Sequence, residues 1–567
     1  RKKLSQKFLK SFQSTLYIED TKSFPKDGVK FLSNSLFELT LNHKQGSPDI
    51  NILTPTITKD KIEFDNSIIN IVNDDMPFLV DSITAAVNDL GYHISLIVNK
   101  VIYVKRDKTG DLQDISYSSS DESLKAESVI QLHIKKLYLE TSKDSIRKKL
   151  CDTLQCVRSA VSDWSPIMDL LEDARHSIVR TGHSPDDKHE AIAFIDWAMD
   201  HNFIFLGFSE TYFTKNSSCF NFTQQKSENL GIQKISNYDD LSSIPKKVFL
   251  QNNCPIIIVS KLIAKSPIHR SVNLDMIRIT IFDDKLNPKG ELRFIGLFTS
   301  KLLYQYAKNI PLIRQKIEYV TKKANFDPKG HNGKELVAIL ESYPREELFP
   351  IKKAELLDIS LGIIKLSGSN AVKTFFRTDP LSRFISVICF IPKKNFSTGI
   401  RHDLQKILAA EISPNITSHA TLISDQPLAR VHFIIVVKDQ DISKINYEKI
   451  ENLISNSAVI WRDQIEKAIF KIFDEQVAID HFNNFGDCFP VSYQEHFKIS
   501  NAINDISRID KLLNSEIPNI SLSRIEKEDN LFSLKLYTIG SQVTLSNIMP
   551  TLNNFGLNVI SENIYLI

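Results

Sequence analysis

Glycine is scarce: 17 of 567 residues, with no G-x-G pair anywhere. That excludes the dinucleotide-binding fingerprint and the Walker loop, which both need glycine where backbone meets phosphate. There is no G-x-S-x-G and no H-E-x-x-H; His189-Glu190 is followed by Ala-Ile-Ala and lacks a second ligand. The six cysteines, Cys151, Cys156, Cys219, Cys254, Cys389 and Cys488, are scattered and form no C-x-x-C. Neither a disulfide framework nor a metal site is predicted, and a reducing cytoplasm is the natural compartment. No run approaches the roughly 18 apolar residues of a membrane span. The basic N-terminus has no apolar core, so it is not a secretory signal. Lys+Arg number 70 against 68 Asp+Glu, a net charge of +2. That balance gives no reason to expect nucleic acid or a membrane surface as partner.

What remains is an ordinary water-compatible composition, 42% hydrophobic and 24% charged, in a chain long enough for roughly three to five domains. Residues 1–65 read as a loosely organised entry segment. "SIINIVND" (67–74) is then a strand. Pro77 takes a first helical position with Asp74 or Asp75 as N-cap, and Phe78, Leu79, Ile83, Ala86, Val87 and Leu90 recur at helical spacing. Gly91 ends that helix. Two strands and a helical stretch follow, an order β-α-β-β-α that predicts a ferredoxin-like sandwich over 66–180, with helices on one face of an antiparallel sheet.

"HSPDDKHEAIAFIDWAMD" opens a mixed α+β domain over 185–303, with Ser184 as cap and Pro185 at the first position. Helices occupy 304–365. A second compact α+β unit spans 371–480, beginning with a hairpin around "TDPL". A helical linker, 481–527, leads to 528–567. There "IMPTLNNFGLNVISENIYLI" repeats the first unit: Asn553-Asn554-Phe555-Gly556 matches Asn88-Asp89-Leu90-Gly91. The third copy is half a unit, and half a domain cannot bury its core. The sequence also starts without Met. A natural polypeptide continuing past Ile567 is therefore expected.

Asn73, Asp74, Asp75, Asp81 and Ser82 crowd a strand-to-helix turn, where exposed N–H groups suit a carboxylate and acids suit an ammonium. Taken singly, each also reads as an ordinary turn or cap residue. Paired-carboxylate catalysis is the weakest reading, because such a turn excludes water poorly. Arg377 and Arg383 flank a tight turn; an Arg pair clamps a carboxylate or phosphate, though charged hairpin ends are commonly just solvated.

The run Asn73-Asp74-Asp75-Met76-Pro77-Phe78-Leu79-Val80-Asp81-Ser82 resembles a signature of the large bacterial NAD-specific glutamate dehydrogenases. Collinear segments agree: "DWAMDHNFIFLGF" (196–208), "SPIHRSVNLDMIRI" (266–279), "RFIGLFTS" (293–300), "IPLIRQKIEYV" (310–320), "LESYPREELF" (340–349) and "FFRTDPLSRFISVICFIP" (375–392). The resemblance implies ACT-like modules at 66–180, 371–480 and 528–567, a PAS-like module at 185–303, and a separate oxidoreductase domain that uses NAD to convert L-glutamate to 2-oxoglutarate. It implies a homotetramer, and an amino-acid effector held by Asn73, Asp74, Asp75, Asp81, Ser82 and Gly91. His269 and Arg270 would line a pocket of the PAS-like module, with Arg377 and Arg383 as secondary candidates. No catalytic, cofactor-binding or metal-binding residue is assigned here, and these residues alone are predicted inactive. The rival expectations are a free-standing ACT-like regulator and a scaffold that binds nothing.

Overall fold

Several strands of this sequence are apolar almost without interruption, and the architecture explains them: the three main sheets are each buried on both faces. The structure, a computed structural model, describes the chain apart from residues 18, 20–21, 23, 57–61, 118–123, 216–218, 225–228, 237–242, 246–253, 284–286, 367–370, 380–382, 424–426, 438–441, 458–460, 516, 525–530 and 541–542.

The first unit contains α1 (Lys2–Gln13), α2 (Gly28–Thr40), β1 (Asp49–Leu53), β2 (Asn66–Asp74), α3 (Leu79–Asp89), β3 (Ile94–Arg106), β4 (Leu112–Ser116), β5 (Lys125–Lys135) and α4 (Glu140–Ser162). Its antiparallel sheet runs β1-β2-β5-β3-β4. Strand side chains alternate between faces. Ile68 and Val72 meet Phe8, Phe12, Leu32 and Leu36 on one side, while Ile69 and Ile71 meet Leu79, Ile83 and Leu150 on the other. Two expectations are corrected here. Residues 1–65 are no loose entry segment: they supply two covering helices and the edge strand β1, which occupies the place of the fourth strand of a βαββαβ unit. Helices lie on both faces of the sheet, because its two faces are both apolar.

The middle unit follows α5 (Trp164–Ile178) and α6 (Pro185–Trp197) with β6 (Phe203–Lys215), β7 (Cys219–Gln224), β8 (Leu230–Gly231), β9 (Ser243–Pro245), β10 (Ile257–Lys265), β11 (Asn273–Phe282) and β12 (Pro288–Phe298). The sheet order is β10-β11-β12-β6-β7-β9, with β8 beside β6. Ile295 and Leu297 of β12 pack toward α3 and α4, while Phe294 and Phe298 pack toward α5, α6 and the helices that follow. So α3 and α4 are sandwiched between two sheets, and α5 packs with the middle unit although its residues were expected in the first. Gly296 is required here: a Cβ would lie 1.9 Å from the Ile204 carbonyl oxygen.

Helices α7 (Ile313–Ala324), α8 (His331–Ser342), α9 (Arg345–Leu348) and α10 (Lys353–Ile364) lead to β13 (Lys373–Thr378), β14 (Phe384–Pro392), α11 (Thr398–Glu411), β15 (Ile416–Leu422), β16 (Leu428–Val436) and α12 (Tyr447–Ser457). The sheet order is β13-β14-β16-β15. The β13–β14 hairpin is present, closed by Asp379 N–H donating to Phe384 O at 3.0 Å; residues 380–382 of its expected turn lie outside the described residues. Ile388 and Phe390 join the helical layer, and Ile385, Val387 and Cys389 pack on α11 and α12. Layers thus alternate, helix and sheet, from residue 2 to residue 457.

The chain ends with α13 (Trp461–Ile472), α14 (Glu475–Phe485), α15 (Ile499–Ser515), β17 (Asn519–Arg524), β18 (Phe532–Tyr537) and α16 (Leu545–Asn554). Strand β17 falls inside the expected helical linker, where it pairs with β18. The internal repeat is geometrically real. Leu90 and Phe555 cap their helices at φ −80° and −79°. Gly91 and Gly556 follow at φ +82° and +73°, each donating to the residue three positions back at 2.9 Å. The expected strand after Gly556 is not formed; Tyr565 instead sets its ring edge-to-face with Tyr493 and bonds His496 Nδ1 at 2.9 Å.

Candidate functional site

The acids around Pro77 do not cap a helix. Asp74 is still in β2, and Asp75 keeps the chain extended by donating its N–H to Ala126 O at 3.0 Å. The N-cap of α3 is Phe78, in the left-handed region at φ 71°, with no side-chain cap. The cap expected of Asp74 or Asp75 is therefore wrong, because the ladder with β5 continues past the point where a helix would begin.

Each predicted residue has a protein partner. Asp74 accepts from Arg158 Nη1 at 2.5 Å and from Gly46 N–H at 2.9 Å. Asn73 accepts from Arg158 Nη2 at 3.0 Å and donates to Asp74 O at 2.7 Å. Buried His43 lies behind Asp74, its Nδ1 2.5 Å from Asp49 and its Nε2 3.9 Å from Asp74. Asp75 accepts from Ser128 Oγ at 2.6 Å.

Asp81 and Ser82 turn the other way, into the middle unit. Ser82 Oγ donates to Phe78 O at 2.6 Å and accepts the His269 N–H at 2.8 Å. Asp81 contacts His269 Nδ1 at 2.8 Å, and Ser271 Oγ donates to Asp89 at 2.8 Å. The rings of Phe78 and His269 are 5.7 Å apart. His269, like Phe78, has a positive φ, 67°. Two candidate groups far apart in sequence are thus brought together, but against each other: the loop 266–272 sits on the strand-to-helix turn of the first unit. His269 was expected to line a pocket within its own module. Arg270 donates to Phe298 O, and its buried Nε has no hydrogen-bond partner among the described residues. Gly91 is exposed, and a Cβ there would meet nothing within 4 Å.

The second constellation is a buried seam between the middle sheet, α9 and the β13–β14 hairpin. Arg377 is paired to Glu347 at 2.6 Å, and Arg383 grips Asp379 at 2.8 and 3.1 Å. Neither arginine stands at a solvated hairpin end. Lys261 reaches Asp275 at 2.9 Å and Glu346 at 2.6 Å. Glu291 sits between Arg278 at 3.4 Å and Arg293 at 3.0 Å. His432 bonds Ser386 at 2.9 Å and lies 3.8 Å from Glu347. Burial alone would push Glu347 up, but Arg377 and His432 hold its carboxyl below the ordinary range. Burial likewise lifts Asp275, to about 6, against the pull of Lys261. Sequence reasoning missed Lys261, Asp275 and Arg158 as members of these networks. Charged residues within apolar strand runs, such as Asp275 and Arg278 in "NLDMIRITIF", were the available signal.

Five models of glutamate dehydrogenase segments match: the ACT1 domain at residues 8–150, helical motif 1 at 310–369, the ACT2 domain at 373–462, helical motif 2 at 468–512 and the ACT3 domain at 519–567. The NAD-specific glutamate dehydrogenase of Halomonas elongata is 30% identical over 98% of this chain and 35% of its own length. That of Pseudomonas aeruginosa is 26% identical over 93% of the chain and 33% of its own length, and that of Mycobacterium tuberculosis 21% over 85% and 30%. The chain spans about a third of the length of the curated relatives it matches.

Proposed function

This chain belongs to the family of NAD-specific glutamate dehydrogenases, and from that premise we propose that it is the regulatory and assembly segment of such an enzyme. In this reading the hydride passes from L-glutamate to NAD in a domain outside these residues. The segment works in the cytoplasm as part of a homo-oligomer and senses an amino acid or related metabolite through the turn formed by Asn73, Asp74, Asp75, Asp81, Ser82 and Gly91. The observation that carries the reading is the contact of this turn with loop 266–272. A sensor needs an element whose arrangement a ligand biases, and here the ligand turn of one module is already engaged by the next. A ligand whose carboxylate competes for Ser82, or whose ammonium competes for Asp81, would release His269 and free one sheet from another. The middle unit's antiparallel sheet, with its first long strand β6 beside its last, β12, supports the PAS-like description.

The test is thermal unfolding of the chain against L-amino acids, 2-oxoglutarate and NAD. A ligand at a hundred times its Kd adds about 2.7 kcal/mol. A midpoint raised by an amino acid but not by NAD, with the rise reduced in Asp81→Ala, is the expected result. Glutamate-dependent NAD reduction by these 567 residues overturns the division of labour. The scaffold reading is favoured by one observation, that Asp74, Asp81 and Ser82 already have protein partners; it gains if no ligand shifts the midpoint.

A further inference from the structure

The buried seam is neutral by count. Lys261, Arg278, Arg293, Arg377 and Arg383 are five cations, and Asp275, Glu291, Glu346, Glu347 and Asp379 are five carboxylates in contact with them. Beside it Arg345 is matched by Glu341 at 2.8 Å. Arg430 on β16 is matched by nothing among the described residues. Its Nε and Nη1 are both buried and both lack a hydrogen-bond partner. The ionisable groups that face it are the Tyr343 phenol, a second cation, Arg345, and the buried His432 imidazole. Burial pushes its guanidinium down to about 10, the direction expected of a charge with no counter-ion.

The position follows from the strand. His432, two residues on, points to the same face, where it meets Ser386 and Glu347. Arg430 pairs across the sheet with Phe390, which packs into the helical layer. Its side chain therefore leaves β16 toward the α8–α9 turn that carries Tyr343 and Arg345. Buried N–H groups of a cation without acceptors are rare and call for an ion or water. Arg430 brings one positive charge, so a partner with one carboxylate balances it where a doubly charged phosphate does not.

We propose that Arg430, at the joint between the second ACT sheet and helical motif 1, is a binding site for the carboxylate of a small metabolite. As an effector site it rests on the regulatory reading above; as a carboxylate site it does not. The site lies apart from the turn at residues 73–91, so the two are separable. The experiment is thermal unfolding of the full chain at constant ionic strength in chloride, acetate, L-glutamate, 2-oxoglutarate and inorganic phosphate, for the parent, Arg430→Met, Arg430→Lys and Asp81→Ala. The expected result is a midpoint raised by acetate or 2-oxoglutarate, which lack the ammonium that Asp81 would hold, in the parent and in Asp81→Ala, a rise at least halved in Arg430→Lys, and none in Arg430→Met, whose midpoint without ligand is no lower than the parent's. An equal carboxylate rise in Arg430→Met, a rise with phosphate alone, or no rise with any carboxylate overturns the proposal. A rise lost in Asp81→Ala but kept in Arg430→Met overturns it while leaving the regulatory reading intact. If Arg430→Met does not fold, Arg430→Lys decides: it keeps the charge but loses the planar donors, and an unchanged response refutes the assignment.

Discussion

His133 is the group whose titration most directly tests the layered first unit. It is buried in β5, stacked on Phe24 at 5.8 Å and edge-on to Phe64 at 6.3 Å, with Nε2 3.2 Å from Gln131 Oε1. Burial lowers its pKa to about 4, against about 6.5 in an unfolded chain. Between those values the unfolded state binds a proton that the folded state refuses, so stability rises with pH across this window. The contribution is complete above about pH 6.5 and disappears as pH falls toward 4. A gap of about 2.5 pH units at about 1.4 kcal/mol each gives about 3 kcal/mol. The perturbation is His133→Phe, which keeps an aromatic ring between Phe24 and Phe64. It leaves Gln131 Oε1 short of a partner, a cost of about 1–3 kcal/mol that does not vary with pH. Calorimetry between pH 4.5 and 8 separates the two effects: an offset in the midpoint of the first unit, and a flattened acid limb. An acid limb as steep in His133→Phe as in the parent refutes the argument. It would mean that the helices of residues 1–40 do not enclose this face in solution.

Four further outcomes are expected. Ser82→Ala removes the acceptor of the His269 N–H and costs about 1 kcal/mol at that contact; hydrogen exchange over 266–272 should quicken while α3 itself stays protected. Glu347→Gln strands Arg377 in the seam and should cost about 3–5 kcal/mol, whereas Glu347→Leu combined with Arg377→Met should recover most of it, as read by calorimetry. Gly91→Ala has open space but a φ of +82°, so it should cost about 1–2 kcal/mol through backbone strain alone. Gly296→Ala, with its Cβ driven into the Ile204 carbonyl oxygen, should fail to form the β6–β12 pair and be recovered only as insoluble protein.

Local signals were legible and distant ones were not. Ser184 does cap α6 by accepting from the Asp187 N–H, because N-cap chemistry acts within three residues. Gly91 and Gly556 end their helices as the spacing implies, because a positive φ is a demand the residue itself meets. The same local logic failed at Asp74, whose partner Arg158 lies 84 residues away, and at residues 1–65, whose apolar faces acquire meaning only beside β2 and β5. Half of a binary pattern was visible: "SIINIV" and "FISVICFI" are apolar at all but Ser67, Asn70 and Ser386 and buried at every position, the sign of strands covered on both faces. Reading them as strands of an antiparallel sheet with helices on one side missed what that continuity requires.

The contact between the first and middle units also has an energetic logic that no single segment displays. Phe78 and His269 both hold left-handed backbone, which costs an L-residue roughly 1–2 kcal/mol each. Neither is glycine, asparagine or aspartate, so the sequence gives no warning at either position. The strain is offset across the joint: Ser82 Oγ ties Phe78 O to the His269 N–H at 2.6 and 2.8 Å, and the two rings close at 5.7 Å. Separating the units would release both residues toward ordinary backbone while losing those bonds. The net free energy of this polar contact is therefore a small difference between opposing contributions of a few kcal/mol, while the joint as a whole rests on the apolar core that Leu79, Ile83 and Leu150 share with Leu274, Met276 and Ile295. The strained turn set against a strained loop fixes how the two units meet, and the apolar core they share supplies the stability.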